Sequence, residues 1–138
     1  MALELDQDYR PSESEPFMNE RQRQYFRAKL LAWKNQILLE SKMTLENLQN
    51  DTEALPDLAD RATSETERSI ELRTRDRQRK LIANIDGALR RIEEGAYGYC
   101  EETGEPISLA RLEARPTARY SLEAQERHER RERVYRDA

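Results

Sequence analysis

Apolar residues recur along this chain with helical spacing in two long runs separated by a single break. In the first run Phe26, Leu30, Trp33 and Ile37 step by four, three and four, and Leu45 and Leu48 resume the row toward an end near Thr52. Asn19 and Gln22 have the spacing of a capping box, so the first helix is expected to begin at Asn19. Pro56 ends it, because proline has no N–H to donate and biases Leu55 away from helical angles. The return helix is expected from about Asp57 to Glu94, closed by Gly95 in the usual position of a C-terminal cap. Its apolar residues crowd at the far end, where Leu81, Ile82, Ile85, Leu89 and Ile92 make a stripe, whereas residues 64–80 offer only Ile70 and Leu72. A helix of about 34 residues spans roughly 50 Å. At this polarity it needs a partner. Folding back about residue 56 makes facing residue numbers sum to about 112. That sets Leu30 near Ile82 and Phe26 near Ile85, and leaves Trp33 and Ile37 beside the methylene stems of Arg79 and Arg75.

The flanks follow other patterns. Residues 1–18 are acidic, are punctuated by Pro11 and Pro16, and have no period. They read as an extended arm that Leu3, Leu5, Tyr9 and Phe17 could pin. After Gly95 the periodicity stops. Cys100-x-x-Thr103-Gly104 has the layout of a metal knuckle with its second thiol replaced, and Ser121-x-x-Ala124 stands where a second pair of ligands would be. One thiolate, with His128 and carboxylates such as Glu101 and Glu123 at no zinc spacing, does not make a zinc site, so no zinc is expected. Tyr97, Tyr99, Ile107, Leu109, Leu112 and Tyr120 are expected to form a small apolar cluster. Cys100 packs among them as a small hydrophobe, and Ser121 caps a terminal helix from Leu122 to Arg136 that carries an exposed His128. The fold class is therefore mainly α. A long antiparallel coiled-coil hairpin (19–94, tip at 54–62) follows the arm (1–18), and a small zinc-finger-like globular module with a C-terminal helix (95–138) completes the chain.

Composition narrows the function. Charged residues make up 38% of the 138 and hydrophobic ones 36%, which favours narrow apolar seams over a large core. A net charge of −4 argues against autonomous DNA binding and favours a protein partner. No apolar run approaches a membrane span, and the first residues have neither a basic nor an apolar leader segment, so a cytoplasmic chain is expected. A single cysteine forbids an internal disulfide. There is no nucleophile and base arrangement, no glycine-rich phosphate loop and no histidine pair, so an enzyme is not expected.

Two stretches carry candidate chemistry. At the tip, Asp57 is placed to cap the return helix and Asp60 falls at N3, where a carboxylate faces unpaired N–H groups. One cap suffices to start a helix. Two acids beside small Ala59 and Ala62 therefore leave a narrow negative point able to enter a confined site. The run Arg73 to Lys80 is strongly basic. Glu71 with Arg75 and Asp76 with Lys80 are favourable i,i+4 pairs, but Arg73 and Arg77 lie one turn apart with no acid at i−4 or i+4, which points to an acidic or phosphate partner elsewhere.

The strings Pro56-Asp57-Leu58-Ala59-Asp60-Arg61-Ala62, Ser69-Ile70-Glu71-Leu72-Arg73, Arg75-Asp76-Arg77, Arg79-Lys80-Leu81-Ile82, Tyr97-Gly98-Tyr99-Cys100-Glu101 and Arg111-Leu112-Glu113-Ala114-Arg115-Pro116-Thr117-Ala118 together resemble the bacterial DksA/TraR family, over about residues 17–135. The resemblance implies a transcription regulator that binds RNA polymerase and inserts its hairpin through the secondary channel toward the catalytic centre. Asp57, Asp60 and Ala62 match the family's functional tip positions. Leu81 and Arg115 match positions lining a pocket for the alarmone ppGpp, formed between factor and polymerase, and Arg77 matches a position facing the polymerase; Arg73 is grouped with them. The chain departs from the pattern at Asn84 and Gln125, where well-known members carry lysines, and at Thr103, Ser121 and Ala124, which stand with Cys100 in the four ligand places. Expected partners are RNA polymerase and, with it, ppGpp, with a monomeric chain and no intrinsic cofactor. The alternatives are a coiled-coil structural or adaptor protein, and a Gre-like transcript-cleavage factor.

Overall fold

A computed structural model describes residues 8–53 and 58–137. The described chain is mainly helical, in the order α1 (Glu20–Glu53), α2 (Leu58–Glu94), α3 (Leu109–Ala114) and α4 (Leu122–Asp137). Six of these ends agree with the sequence pattern to within a residue, and local chemistry is seen to set three of them. Asn19 Oδ1 accepts the Gln22 N–H at 2.9 Å, and Gln22 Oε1 reaches back to the Met18 N–H at 2.8 Å, so the capping box closes one residue further out than its usual form. At the end of α2, Gly95 takes φ 77°, its N–H donates to Ile92 O, and the Ala96 N–H donates to Arg91 O at 2.9 Å. This is the full Schellman pair, which satisfies carbonyls the helix leaves open. Ser121 caps α4: its Oγ accepts from the Ala124 N–H and its carbonyl from the Gln125 N–H.

The residues pack as two compact units. One holds the chain up to Leu30 and from Asp86 onward, and the other holds Leu31–Ile85. In the first, the base, the core is aromatic and tight: Phe26, Leu30, Tyr97, Ile107 and Leu112 are each no more than 1% exposed. The arm folds onto this base. Tyr9 meets Tyr25 edge-on at 6.0 Å and receives the Arg21 guanidinium over its ring at 4.3 Å, while Phe17 meets Tyr99 edge-on at 5.3 Å. Tyr9 and Phe17 thus pin the arm as expected; Leu3 and Leu5 lie outside the described residues. Gln22 is fully buried beneath it, with Nε2 donating to Ser12 O and to the Glu15 carboxylate. Met18 lies in the left-handed region (φ 52°) and covers Gly98 so closely that a Cβ there would sit 3.0 Å from its side chain.

In the second unit, α1 and α2 run side by side, joined by a hydrogen bond from Ser41 Oγ to Gln78 Oε1 at 2.7 Å. This pair sums to 119, above the expected value of about 112. Part of the offset is side-chain reach, because each side chain leans toward the N-terminus of its own helix. Ile37 and Ile85 are buried here, but Leu45, assigned by its spacing to the inner row, is 41% exposed.

Candidate functional site

The tip begins the site. Asp57 lies outside the described residues. Asp60 and Ala62 fall in the first turns of α2, with side chains likewise outside those described. Further along α2, Arg73 and Arg77 are exposed one turn apart and Leu81 is half-buried. These belong to the Leu31–Ile85 unit, whereas Arg115 belongs to the base.

Arg115 stands at the C-terminal end of α3. That helix is started by Ser108, whose Oγ accepts the Arg111 N–H, and ended by Arg115 itself, whose N–H returns to Arg111 O at 2.7 Å. The side chain is exposed, but its backbone is held on both sides. On one side Lys29 of α1 donates to the Glu113 carbonyl at 2.8 Å and to its carboxylate at 2.6 Å. On the other side the buried Tyr97 hydroxyl donates to Pro116 O at 2.7 Å. These contacts shift titrations. Burial opposes the charge on Glu113, but Lys29, Tyr25 and Arg10 outweigh it and hold the carboxyl below its ordinary range. Burial, reinforced by Glu113, pushes Tyr25 up to about 12, and burial also pushes Tyr97 up. The sequence pattern missed this clamp. Lys29 and Glu113 are 84 residues apart, and neither departs from the ordinary amphipathic text around it.

Three of the four knuckle positions meet, since Thr103 and Ser121 both hydrogen-bond Cys100. Gly98 and Gly104 turn the chain at φ 89° and 74°, Tyr99 and Pro106 form an isolated antiparallel bridge, and the Cys100 N–H donates to Glu105 O at 2.8 Å. Cys100 is 2% exposed and Ala124 is fully buried. Burial raises the thiol's pKa, but hydrogen bonds from the Thr103 hydroxyl and from the backbone at Ser121, Thr103 and Glu102 outweigh it and bring it to about 7. Beside it Glu102 pairs with His128 at 3.0 Å and with Arg127 at 3.5 Å, and His128 stacks on Tyr120 at 4.6 Å. His128 is thus tied to the knuckle loop rather than simply solvated. Of the expected small cluster, Tyr97, Ile107, Leu112 and Cys100 are buried, while Tyr99 is 37% exposed.

Comparison with known proteins places these features. Residues 22–92 match the family model described as DnaK suppressor protein DksA, N-terminal domain, and residues 95–130 match the prokaryotic dksA/traR C4-type zinc finger. The second match corrects the expectation of no zinc, since a C4-type finger implies zinc binding. Counting thiolates weighed the donors alone, whereas the likeness resides in the whole segment, including its glycine turns and the helix entry at Ser121. The donors here do not reproduce a C4 set. Cys100 is the chain's one cysteine, and among the described residues no three His, Cys, Asp or Glu side chains converge as metal ligands.

The RNA polymerase-binding transcription factor DksA of Caulobacter vibrioides is 74% identical over 130 residues, covering 94% of this chain and 92% of that protein. The protein of the same name from Escherichia coli K12 is 44% identical over 118 residues, covering 86% and 78%. The solved structure of transcription factor DksA2 from Pseudomonas aeruginosa superposes with a TM-score of 0.80 at 41% identity, covering 87% of this chain and 95% of that one. With family models matched along both the long helices and the finger, and this identity over nearly its whole length, the chain belongs to the DksA family.

Proposed function

We propose that this chain is a transcription regulator that binds RNA polymerase and carries the acidic tip of its hairpin through the secondary channel toward the catalytic centre. The observation that carries the reading is the 74% identity, over 94% of the chain, to a protein named for RNA polymerase binding. Charge along the helices supports it. Residues 46–69 hold seven acidic and two basic side chains, whereas residues 31–45 and 70–85 together hold seven basic and three acidic. The basic stretch suits an acidic protein surface, and the tip delivers carboxylates beyond it. Carboxylates set near a nucleic-acid backbone raise the energy of that complex, so Asp57 and Asp60 shift the balance between promoter states with no bond made or broken. The chain acts as a regulator rather than an enzyme, as a monomer, in the cytoplasm with its polymerase.

Arg115 and Leu81 are the residues assigned to ppGpp at the joint surface with polymerase. A guanidinium suits a polyphosphate, and the clamped backbone around Arg115 lowers the cost of positioning it. Asn84 and Gln125 supply no charge, and Gln125 Nε2 is engaged with Glu129 at 3.3 Å. The test is co-purification of the full chain with core RNA polymerase, with and without a known secondary-channel binder as competitor. Capture that the competitor abolishes supports the reading. No capture, or capture that the competitor leaves untouched, contradicts it.

A further inference from the structure

The Leu31–Ile85 unit turns much of its apolar surface outward. Among the described residues Ile37 and Ile85 are its buried large hydrophobics, yet α1 alone exposes Leu31, Leu38, Leu39, Met43 and Leu45. Three of these form a row. Leu31, Leu38 and Leu45 are seven residues apart, and seven helical steps fall only about 20° short of two full turns, so they share one face of α1. They are 40%, 46% and 41% exposed. Ile37, one residue before Leu38, is turned about 100° away into the unit's interior, while Ser41, which reaches α2, lies only about 40° from Leu45, so the row borders the seam with α2 and stays open on its outer side. Lys42, exposed, lies on the same face between Leu38 and Leu45. The Ser41 to Gln78 hydrogen bond brings the basic run of α2, Arg73 to Lys80, alongside this part of α1.

A row of leucines at seven-residue spacing matches the period with which a partner α-helix presents its own apolar seam. The charge around it selects the partner's flanks. Seven basic against three acidic side chains on this stretch favour a helix with acidic edges. A second copy seated row on row would set that basic excess against itself. An anionic lipid surface would meet the charge but gives no reason for the period. We propose that the Leu31, Leu38 and Leu45 row docks an acidic amphipathic helix on the surface of RNA polymerase. The inference rests on the polymerase-binding reading, and deepens it by assigning an apolar contact to α1 that is separate from the arginines of α2.

The experiment uses the full chain and core RNA polymerase. The triple variant Leu31→Glu, Leu38→Glu, Leu45→Glu is compared with the triple Leu→Gln at the same positions and with Leu39→Gln, an exposed leucine off the row. Both triples should retain the wild-type helical signal and lose at least tenfold in affinity for polymerase, while Leu39→Gln binds as wild type. Because the contact is apolar, the loss with Leu→Gln should persist at high salt. Wild-type affinity in the Gln triple overturns the proposal. As a check independent of the variants' folding, a photoreactive residue at position 38 of the otherwise unchanged chain should crosslink to a polymerase helix bearing acidic residues. Crosslinks only to a second copy, binding lost instead to anionic vesicles, or no polymerase crosslink would each overturn it. If the unmodified chain fails to bind polymerase, the parent reading falls and this inference with it.

Discussion

The two compact units of this protein are built from similar helices but hold themselves together differently. Of the twelve buried hydrophobic residues described, the base holds ten and the Leu31–Ile85 unit holds Ile37 and Ile85; of eleven exposed large hydrophobics, that unit carries seven. The base adds buried hydrogen bonds, through Gln22 and Tyr97, and a clamp from Lys29 to Glu113. Tight packing is thereby concentrated in the base. The base fixes one structure, while the hairpin leaves its side chains available to something outside the molecule. In a chain of this size, a second well-packed core would have consumed the very surface the hairpin presents.

The largest losses should follow substitutions in the base. Gly98→Ala forces a Cβ to 3.0 Å from Met18 at a residue with φ 89°, so both packing and backbone suffer. It should cost about 2 to 3 kcal/mol, read as a lower denaturant midpoint for base amides in hydrogen exchange. Tyr97→Phe removes the donor to Pro116 O and leaves a buried carbonyl unpaired. It should cost about 1 to 2 kcal/mol and loosen the segment around Arg115, measured by chemical denaturation.

pH should act on the same unit from both sides. Glu113 and Glu101 have folded pKa values below their unfolded ones, so they contribute stability above the unfolded value, which is lost as pH falls through the folded one. Tyr25 and Tyr97 are raised, so their contribution is present below the unfolded value of about 10 and is lost as pH climbs through the folded one. Thermal melts should show a plateau between these limits, and Tyr25→Phe should soften the alkaline fall. By contrast Ser41→Ala, which deletes the hydrogen bond to Gln78, should change stability by no more than about 0.5 kcal/mol. A larger loss there would mean that the hairpin is held by polar contacts more than its exposed apolar surface implies.

Much of the fold was legible because local chemistry decides it. The Asn19 and Gln22 box, the Gly95 cap and the Ser121 cap each fix a helix end within a few residues of themselves. The knuckle was legible as a shape, but its relation to zinc was misjudged by weighing Cys100 alone, since the family likeness extends over residues 95–130. Contacts at long separation left no trace in the text, as with Lys29 and Glu113. Leu45 was placed inside because four-and-three spacing and seven-residue spacing share positions over a short run, and only the packing of α1 on α2 distinguishes the inner row from the outer one.

On the proposed function, one set of residues holds the molecule to polymerase and another, at the tip, acts. A single titration of wild type and Asp60→Asn, following polymerase affinity and transcription from a sensitive promoter together, tests it most directly. Asp60 stands early in α2, where loss of one carboxylate should cost helix stability well under ~1 kcal/mol. Affinity should stay within about twofold of wild type while regulation is abolished, because the binding surface is intact and the acting charge is gone. Regulation that survives the substitution, or that falls only in step with affinity, would contradict it.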